Sequence, residues 1–308
     1  MLSTKNVINI EDLKKEDIDL ILENADSFYE ILSRDLKKVP TLRGKTIINM
    51  FFESSTRTRT SFEIAAKRLS ADLINFSALT SSLKKGESII DTIKTIKSMV
   101  ADLLIIRHSA SGIMSFIAKN IDIPIINAGD GKHQHPTQSL LDLYTIKKSF
   151  SDIKGLKVAI VGDIVNSRVA RPNIKLFKMM GMEVILVSAP MLLPENLDYF
   201  GVSAFGNIDD VIEKVDVIYM LRMQFERQER KFYPSIKEYN KFLSLDLGRF
   251  KKLKQGAIVM HPGPVNRGVE ISDDVMNIED QYREKIKICN QVTNGLAIRM
   301  ALIYLILS

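Results

Sequence analysis

The hexapeptide from Ser54 to Arg59 (SSTRTR) has the composition of an anion-binding site. It follows an apolar, strand-like run over 46–52 and opens a run whose apolar residues recur at helical spacing. A helix N-terminus offers free backbone N–H groups and the positive end of the helix dipole, and hydroxyl and guanidinium groups add donors suited to a phosphate. The alternative is an ordinary capping box made by Thr60 and Glu63, which would not need two neighbouring arginines.

A second candidate segment contains His133 and His135, followed by Gln138. His135 and Gln138 are three residues apart, so at the start of a helix they could share a face and donate to one small polar group. The two histidines could instead bind a metal ion, but no carboxylate or thiolate at suitable spacing completes a zinc set. We favour the pair that polarises a substrate.

Two further segments contain arginines placed for carboxylate recognition. Arg168 lies at the start of a predicted helix and can donate a bidentate pair, although pairing with Asp163 at the surface is the simpler alternative. The turn before it lacks the three glycines of a dinucleotide fingerprint, which argues against a nicotinamide cofactor. Arg222 and Gln224 follow a strand-like run and, being two apart in extended chain, would project to the same side.

These residues must be held by alternating short apolar strands and amphipathic helices. We predict strands over 47–52, 103–107, 123–127, 158–162, 183–187, 217–221 and 257–261. Helices are predicted over 10–32, 88–99, 136–148, 168–180 and 208–215. The pattern indicates an α/β protein of two domains, each a mainly parallel sheet covered by helices on both faces, joined by a bridging helix.

We place the domain boundary in the polar stretch 149–155, where a fresh strand follows. The expected domains are residues 1–148 and 149–291, followed by an apolar C-terminal helix over 292–308. The polar clusters follow the C-terminal ends of predicted strands, the edge at which open parallel sheets bind ligands. We therefore expect the site between the two domains.

Bulk properties narrow the class of protein. The net charge of +6 invites a nucleic-acid interpretation, but the lysines are scattered and the aromatic residues are not interleaved with them. The most apolar segment, 296–307, is too short to span a bilayer and contains Arg299, and charged residues over 11–17 argue against a signal peptide. A single cysteine, Cys289, fits a reducing compartment. We expect a soluble, cytoplasmic protein that binds neither nucleic acid nor membrane.

The sequence offers many positive and neutral donors but no recognisable pair of nucleophile and base. Such a supply suits a reaction driven by positioning and charge stabilisation.

Three motifs together resemble the transcarbamoylases: 55–59 (STRTR), 135–138 (HPTQ) and the 261–264 turn (HPGP). The details are similar to the catalytic chains of the aspartate carbamoyltransferase family, and the resemblance extends in order through 293–300 (TNGLAIRM). It implies transfer of the carbamoyl group from carbamoyl phosphate to the α-amino group of L-aspartate, a step of de novo pyrimidine biosynthesis, without a metal or organic cofactor.

The resemblance also implies residue roles. Carbamoyl phosphate would be bound by Ser55, Thr56, Arg57, Thr58, Ser82, Lys85, Arg107, His135, Gln138, Gly263 and Pro264. Of these, the catalytic residues would be Arg57, Thr58, Lys85, Arg107, His135 and Gln138. L-Aspartate would be bound by Lys85, Arg168, Arg222 and Gln224.

By the same resemblance, Ser82 and Lys85 would reach the site of an adjacent subunit, which makes the catalytic unit a homotrimer; a regulatory chain or another pathway enzyme could join it. The resemblance further implies that the C-terminal helix 292–308 packs back on the first domain. Ornithine carbamoyltransferase is the nearest alternative, but its family typically has a His-Cys-Leu-Pro turn, whereas this turn contains Gly263 and no cysteine (HPGP, 261–264), and Cys289 lies elsewhere. That glycine also loosens the turn. A catalytically silent homologue that binds carbamoyl phosphate is the other alternative, although Arg57, Arg107, His135 and Lys85 are all retained.

Overall fold

The computed structural model describes residues 1–77, 87–224 and 236–308. The chain divides into two compact units, one formed by Met1–Tyr144 and Val292–Ser308 and the other by Thr145–Gln291. Each unit contains its own parallel sheet and helices, so the expected α/β architecture with two sheets is confirmed.

The first unit is built on a four-stranded parallel sheet in the order β2-β1-β3-β4. Its strands are β1 (Thr46–Phe51), β2 (Asp72–Ser77), β3 (Leu103–His108) and β4 (Ile125–Asp130). Continuous apolar runs form β1 and β3 because both are central strands, buried on both faces. The free edge of β4 is covered by Val7, whose N–H donates to Ile125 at 2.9 Å.

Among the described residues, six α-helices belong wholly or partly to this unit. They are α1 (Lys15–Leu32), α2 (Thr56–Arg68), α3 (Ile89–Lys97), α4 (Ile113–Asn120), α5 (Pro136–Ser149) and α11 (Ile288–Leu307). The chain passes into the second unit within α5 and returns within α11. Both of these helices contain long buried stretches. The burial of α11 explains why residues 296–307 are apolar on nearly every side, whereas the buried stretch of α5 also contains polar residues such as Gln138 and Asp142.

The second unit is built on a five-stranded parallel sheet in the order β7-β6-β5-β8-β9. Its strands are β5 (Lys157–Val161), β6 (Glu183–Val187), β7 (Ser203–Phe205), β8 (Val217–Met220) and β9 (Ile258–Met260). The described helices are α6 (Ala170–Met179), α7 (Leu197–Phe200), α8 (Ile236–Leu243), α9 (Leu247–Lys251) and α10 (Asp273–Asn277). Because all of these strands are parallel, β5, β8 and β9 end side by side at one edge of the sheet.

Three of the differences from the sequence prediction concern the strands or a segment that leads into one. The predicted helix over 208–215 is wrong: only a 3-10 turn, Ile208–Asp210, forms there. The apolar residues of that segment are buried as expected, but the chain must already enter β8, with Asp216 donating to Lys157 at 2.9 Å. The strands β2 and β7 were missed because one contains polar residues and the other is only three residues long.

Within the described part of the chain, no helix is both long enough and apolar enough to cross a membrane.

Candidate functional site

The hydroxyl-rich hexapeptide is the N-terminus of α2, as the sequence predicts. Ser55 is the N-cap residue, and its carbonyl accepts the first helical hydrogen bond from Arg59 at 3.1 Å. The capping-box alternative is wrong, because Thr60 and Glu63 lie inside the helix and Glu63 accepts from Lys67 at 2.7 Å. The first turn of α2 carries no acidic residue. The helix dipole there is therefore left to favour an external anion.

The side chains of this turn are accessible to a ligand. Thr56 and Arg57 are exposed, and Ser55 and Thr58 are half-buried. Ser55 makes no side-chain capping bond to the described part of the chain. Its hydroxyl is therefore not consumed by the helix.

Arg107 lies at the end of β3, beside the segment that leads into α2. Its guanidinium donates to Glu53 Oε1 at 3.2 Å and to the carbonyl of Ala128 at 3.2 Å. The backbone of the same residue accepts from Phe52 at 2.9 Å. The parallel order β1-β3-β4 thus places this arginine, only 11% exposed in its side chain, among the carboxyl ends of three strands.

The neighbouring His108 adds no positive charge near neutral pH. Burial lowers the pKa of its imidazole, and the charges of Glu53 and Asp130 only partly oppose this effect. Its Nδ1 accepts from the backbone N–H of Ala110 at 2.9 Å. The positive charge at this edge of the sheet therefore comes from arginines.

The loop before α5 is fixed by a buried carboxylate. Asp130 is fully buried and accepts hydrogen bonds from the backbone N–H groups of Gly112 at 2.7 Å and Gln134 at 3.1 Å. His133 contacts the same carboxylate at 3.0 Å through Nδ1. These bonds set the direction in which the chain enters α5, immediately after His135.

His135 and Gln138 both lie at the start of α5 and are 4% and 7% exposed. The Nδ1 atom of His135 is 3.4 Å from the hydroxyl of Thr137, and Gln138 donates from Nε2 to Asp142 Oδ1 at 2.9 Å. Over the described ranges, no group of three or more potential metal ligands is present. The arrangement suits a polar substrate group bound by an imidazole and a carboxamide.

One charged group near these residues was not assigned a role from sequence. Arg299 of α11 is 5% exposed, donates to Ser61 of α2 at 2.8 Å and lies over the ring of Phe62 at 5.1 Å. Burial lowers the pKa of its guanidinium to about 10, while the charge of Asp142 opposes the shift. A lone arginine inside an apolar helix was the only sequence signal for it.

The carboxylate-binding candidates of the second unit follow neighbouring strands. Arg168 is buried in the turn between β5 and α6, and the hydroxyl of Ser167 accepts from Ala170 at 3.2 Å to hold that turn. Arg222 and Gln224, both half-buried, follow β8. Since β5 and β8 are adjacent and parallel, these three residues leave the same edge of the sheet.

The 261–264 turn follows β9, the next strand of that sheet. Its Gly263–Pro264 peptide bond is cis, and the N–H of Gly263 donates to His261 Nδ1 at 2.9 Å. A second buried carboxylate that sequence reasoning missed, Glu270, joins this region to the 222–224 segment through a 2.6 Å hydrogen bond from Met223 N–H. Sequence gave no signal for it beyond an acidic residue among apolar neighbours.

The predicted residues thus fall into two groups, one at the edge of each sheet. The first unit contains Ser55, Thr56, Arg57, Thr58, Arg107, His135 and Gln138; the second contains Arg168, Arg222, Gln224, Gly263 and Pro264. Ser82 and Lys85 lie outside the described residues.

Models of two protein families match the chain. Residues 5–148 match the carbamoyl-P binding domain of aspartate/ornithine carbamoyltransferase, and residues 154–306 match its Asp/Orn binding domain. Among curated proteins, the aspartate carbamoyltransferase catalytic subunit of Syntrophotalea carbinolica is 51% identical over 98% of this chain and 95% of its own length. The subunit of that name from Christiangramia forsetii is 50% identical over 100% of this chain and 97% of its own.

Solved structures agree with these matches. Aspartate transcarbamoylase from Trypanosoma cruzi in complex with N-(phosphonacetyl)-L-aspartic acid has a TM-score of 0.91 and 29% identity, covering 100% of this chain and 97% of that one. The same enzyme in complex with carbamoyl phosphate and aspartate has a TM-score of 0.90 and 28% identity, covering 100% and 98%. Both domain models match, the fold coincides with that of these structures, and the curated relatives are about 50% identical over nearly the full length. The chain therefore belongs to the aspartate/ornithine carbamoyltransferase family.

Proposed function

We propose that this protein transfers the carbamoyl group of carbamoyl phosphate to the α-amino group of L-aspartate, giving N-carbamoyl-L-aspartate and phosphate. The observation that carries this conclusion is the nearly full-length identity of about 50% to proteins named aspartate carbamoyltransferase catalytic subunits. It favours aspartate over ornithine as the acceptor. The same reaction is the step of de novo pyrimidine biosynthesis that this family name implies.

The phosphate of the donor is assigned to the first turn of α2. Exposed Thr56 and Arg57, half-buried Ser55 and Thr58, and the positive helix terminus can all donate to its oxygens. Arg107 lies beside this segment through its ion pair with Glu53. An incoming phosphate dianion would compete with Glu53 for that guanidinium.

The carbamoyl carbonyl is assigned to Thr58, Arg107 and His135, with Gln138 as partner of the carbamoyl amide. The neutral amine of aspartate attacks the carbonyl carbon, negative charge develops on the carbonyl oxygen, and the bond from carbon to the phosphate oxygen breaks. Donors placed at that oxygen before the reaction stabilise the transition state more than the ground state. The departing phosphate can accept the amine proton, so the reaction does not require a base from the protein.

The carboxylates of L-aspartate are assigned to Arg168, Arg222 and Gln224. A guanidinium binds a carboxylate through two parallel N–H donors. These bonds fix the orientation of the carboxylate, and the positive charge compensates its negative charge. Ornithine would bring a cationic side chain toward these arginines, and that approach would be repulsive. Gly263 and Pro264 are assigned backbone contacts to the carbamoyl group.

We also propose a cytoplasmic homotrimer in which Ser82 and Lys85 of one subunit complete the site of the next. A regulatory chain or another enzyme of the pathway could associate with it. The test mixes dissociated Arg57→Ala and Lys85→Ala proteins and reassembles them. Recovery of part of the activity is expected because some interfaces then contain two intact halves; correctly assembled hybrids without activity would refute the shared site.

The substrate assignment is tested by offering carbamoyl phosphate with L-aspartate or with L-ornithine and measuring the carbamoylated product. We expect product with aspartate alone. Product with ornithine alone would overturn the acceptor assignment, and no product from assembled protein would overturn the proposed activity.

The phosphate assignment is tested by Arg57→Ala, for which we expect a loss of about a hundred- to a thousandfold in kcat. Lys67→Ala is the matched control: it removes a positive charge from the last turn of the same helix, where Lys67 pairs with Glu63 at 2.7 Å. A much smaller loss is expected there. Equal activity of Arg57→Ala and the unmodified protein would refute the assignment.

A further inference from the structure

The carboxamide of Gln138 is held by a buried carboxylate one helical turn further along α5. Gln138 Nε2 donates to Asp142 Oδ1 at 2.9 Å, and the two side chains are 7% and 0% exposed. An ionised carboxylate can only accept hydrogen bonds, so it selects the N–H side of the amide. The opposite, carbonyl side of the Gln138 amide is then turned away from Asp142.

This orientation matters for the ligand assigned to Gln138. The amide of a carbamoyl group is a donor of two N–H bonds, and its partner must therefore present an oxygen. A glutamine amide whose orientation is not fixed can present either its oxygen or its NH₂ group. Asp142 removes this ambiguity by binding the NH₂ group itself.

Asp142 in turn lies in the field of Arg299. Their charges interact, and the guanidinium also donates to Ser61 Oγ at 2.8 Å on α2. A fully buried carboxylate is strongly disfavoured unless a cation or hydrogen-bond donors balance it. Arg299 supplies such a cation, and it links the helix that begins at the phosphate turn to the helix that contains Gln138.

We propose that Asp142 and Arg299 are positioning residues for carbamoyl transfer: Arg299 stabilises the Asp142 carboxylate, which fixes the Gln138 amide with its oxygen toward the carbamoyl N–H group. The pair thereby selects donors that have an amide next to the reacting carbonyl. This inference rests on the proposed function, because Gln138 is assigned to the carbamoyl amide there.

The test compares carbamoyl phosphate with acetyl phosphate, which has a methyl group in place of the amide. Both donors release inorganic phosphate when L-aspartate attacks, so one assay follows both; where acetyl transfer is too slow, the inhibition constant of acetyl phosphate against carbamoyl phosphate is used. In Asp142→Asn, the single remaining acceptor is drawn to Arg299, and Gln138 turns its NH₂ group toward the substrate amide.

For Asp142→Asn we expect kcat/KM with carbamoyl phosphate to fall about ten- to hundredfold, the equivalent of one strong hydrogen bond. The value for acetyl phosphate should change by no more than about threefold, because the methyl group offers no N–H to Gln138. Asp26→Asn is the matched control, since Asp26 is a second carboxylate that accepts from a buried side chain of the same helix, the Tyr144 hydroxyl, at 2.8 Å. It should leave the ratio between the two donors unchanged.

A purely structural role would lower the activity with both donors by the same factor, and this result, or unchanged activity with both, would overturn the proposal. If Asp142→Asn does not fold, the double variant Asp142→Leu/Arg299→Met removes both charges and leaves no unpaired one buried. It should show the same selective loss for carbamoyl phosphate. An unmodified protein with no carbamoyl transfer to aspartate would instead refute the proposed function, and that outcome is distinguishable from equal losses with both donors.

Discussion

Glu270 makes the stability of the second unit depend on pH. It is fully buried, and its carboxylate accepts from Met223 N at 2.6 Å and from the backbone and side-chain nitrogens of Asn266 at 2.9 Å each. Burial raises the pKa of this carboxyl group from 4.5 to about 7, although the hydrogen bonds oppose the shift. Titration of Glu270 therefore shows whether desolvation, which raises its pKa, or hydrogen bonding, which lowers it, has the larger effect.

The sign and size of the pH effect follow from the difference between the pKa of Glu270 in the unfolded chain and its pKa in the folded protein. Between pH 4.5 and about 7, the unfolded chain has lost the proton that the folded protein retains. The favourable contribution of Glu270 is thus fully present below pH 4.5 and is lost as the pH rises to about 7. At about 1.4 kcal/mol per pH unit, the free energy of unfolding decreases by about 3 kcal/mol over this window, and by about 2 kcal/mol between pH 5.5 and 8.

The assay is urea-induced unfolding of the unmodified protein and of Glu270→Gln at pH 5.5 and 8. Because glutamine does not titrate, the difference in unfolding free energy between the two proteins isolates Glu270. We expect the unmodified protein to lose about 2 kcal/mol relative to the variant as the pH rises. Glu284→Gln, a change at a fully exposed side chain, should follow the unmodified protein in parallel.

Two results would refute this reasoning. A difference that does not change with pH would mean that the pKa of Glu270 is not shifted by folding. A gain by the unmodified protein at pH 8 would mean that the three N–H donors outweigh burial and hold the carboxyl group ionised.

The remaining predictions concern the loop before α5 and the buried Arg249. Gly131 has a φ of +46°, and an added Cβ would lie 2.7 Å from the backbone nitrogen of Ser111. Gly131→Ala should therefore lower the thermal midpoint and the activity. The control is Gly112→Ala: Gly112 has a φ of +80° but open space around an added Cβ, so this change should cost only about 1 kcal/mol of unfolding free energy. Similar midpoints in differential scanning calorimetry would contradict the close approach. Arg249 makes two hydrogen bonds to the exposed Asp209 and three to backbone carbonyls. Because those three carbonyls would lose their donor, both Arg249→Met and Arg249→Lys should lose about 3 kcal/mol in urea unfolding, and full rescue by lysine would show that charge alone matters.

Secondary structure is predicted best from the sequence where the residues of a strand or helix themselves specify it. The strand Glu183–Val187 has the predicted bounds, because an unbroken apolar run over 184–187, rich in β-branched residues, forms a buried strand that pairs on both sides. The edge strand Asp72–Ser77 was missed because it includes Asp72 and Asn75, and pairing with one neighbour tolerates such residues. The helix predicted over 208–215 failed because helical spacing of buried residues also arises in a chain of short turns.

The same distinction applies to the candidate site. The donors were found from sequence because each stands in a short motif next to a strand or helix end, as Arg107 and Gln138 do. The buried or charged partners around them were not found. Glu53, the partner of Arg107, is 54 residues away in the sequence, and Arg299 is 238 residues from Ser61, to which it donates. Such pairs are set by the tertiary fold, and no local pattern specifies them. Asp142 is the exception: its i, i+4 spacing from Gln138 could have been read as a helical pair.

These partners explain how a site rich in donors can be stable before any substrate binds. Arg107 is balanced by Glu53, and Gln138 is bound by Asp142. Substrate binding affects the carboxylates of Glu53 and Asp142 differently. Glu53 competes with the phosphate for Arg107, so it lowers affinity while it keeps the guanidinium in place. Asp142 binds the NH₂ side of the Gln138 amide, which the substrate does not need, so it orients this amide without competing with the substrate. Loss of Asp142 should therefore affect selectivity between substrates, whereas loss of Glu53 should affect affinity.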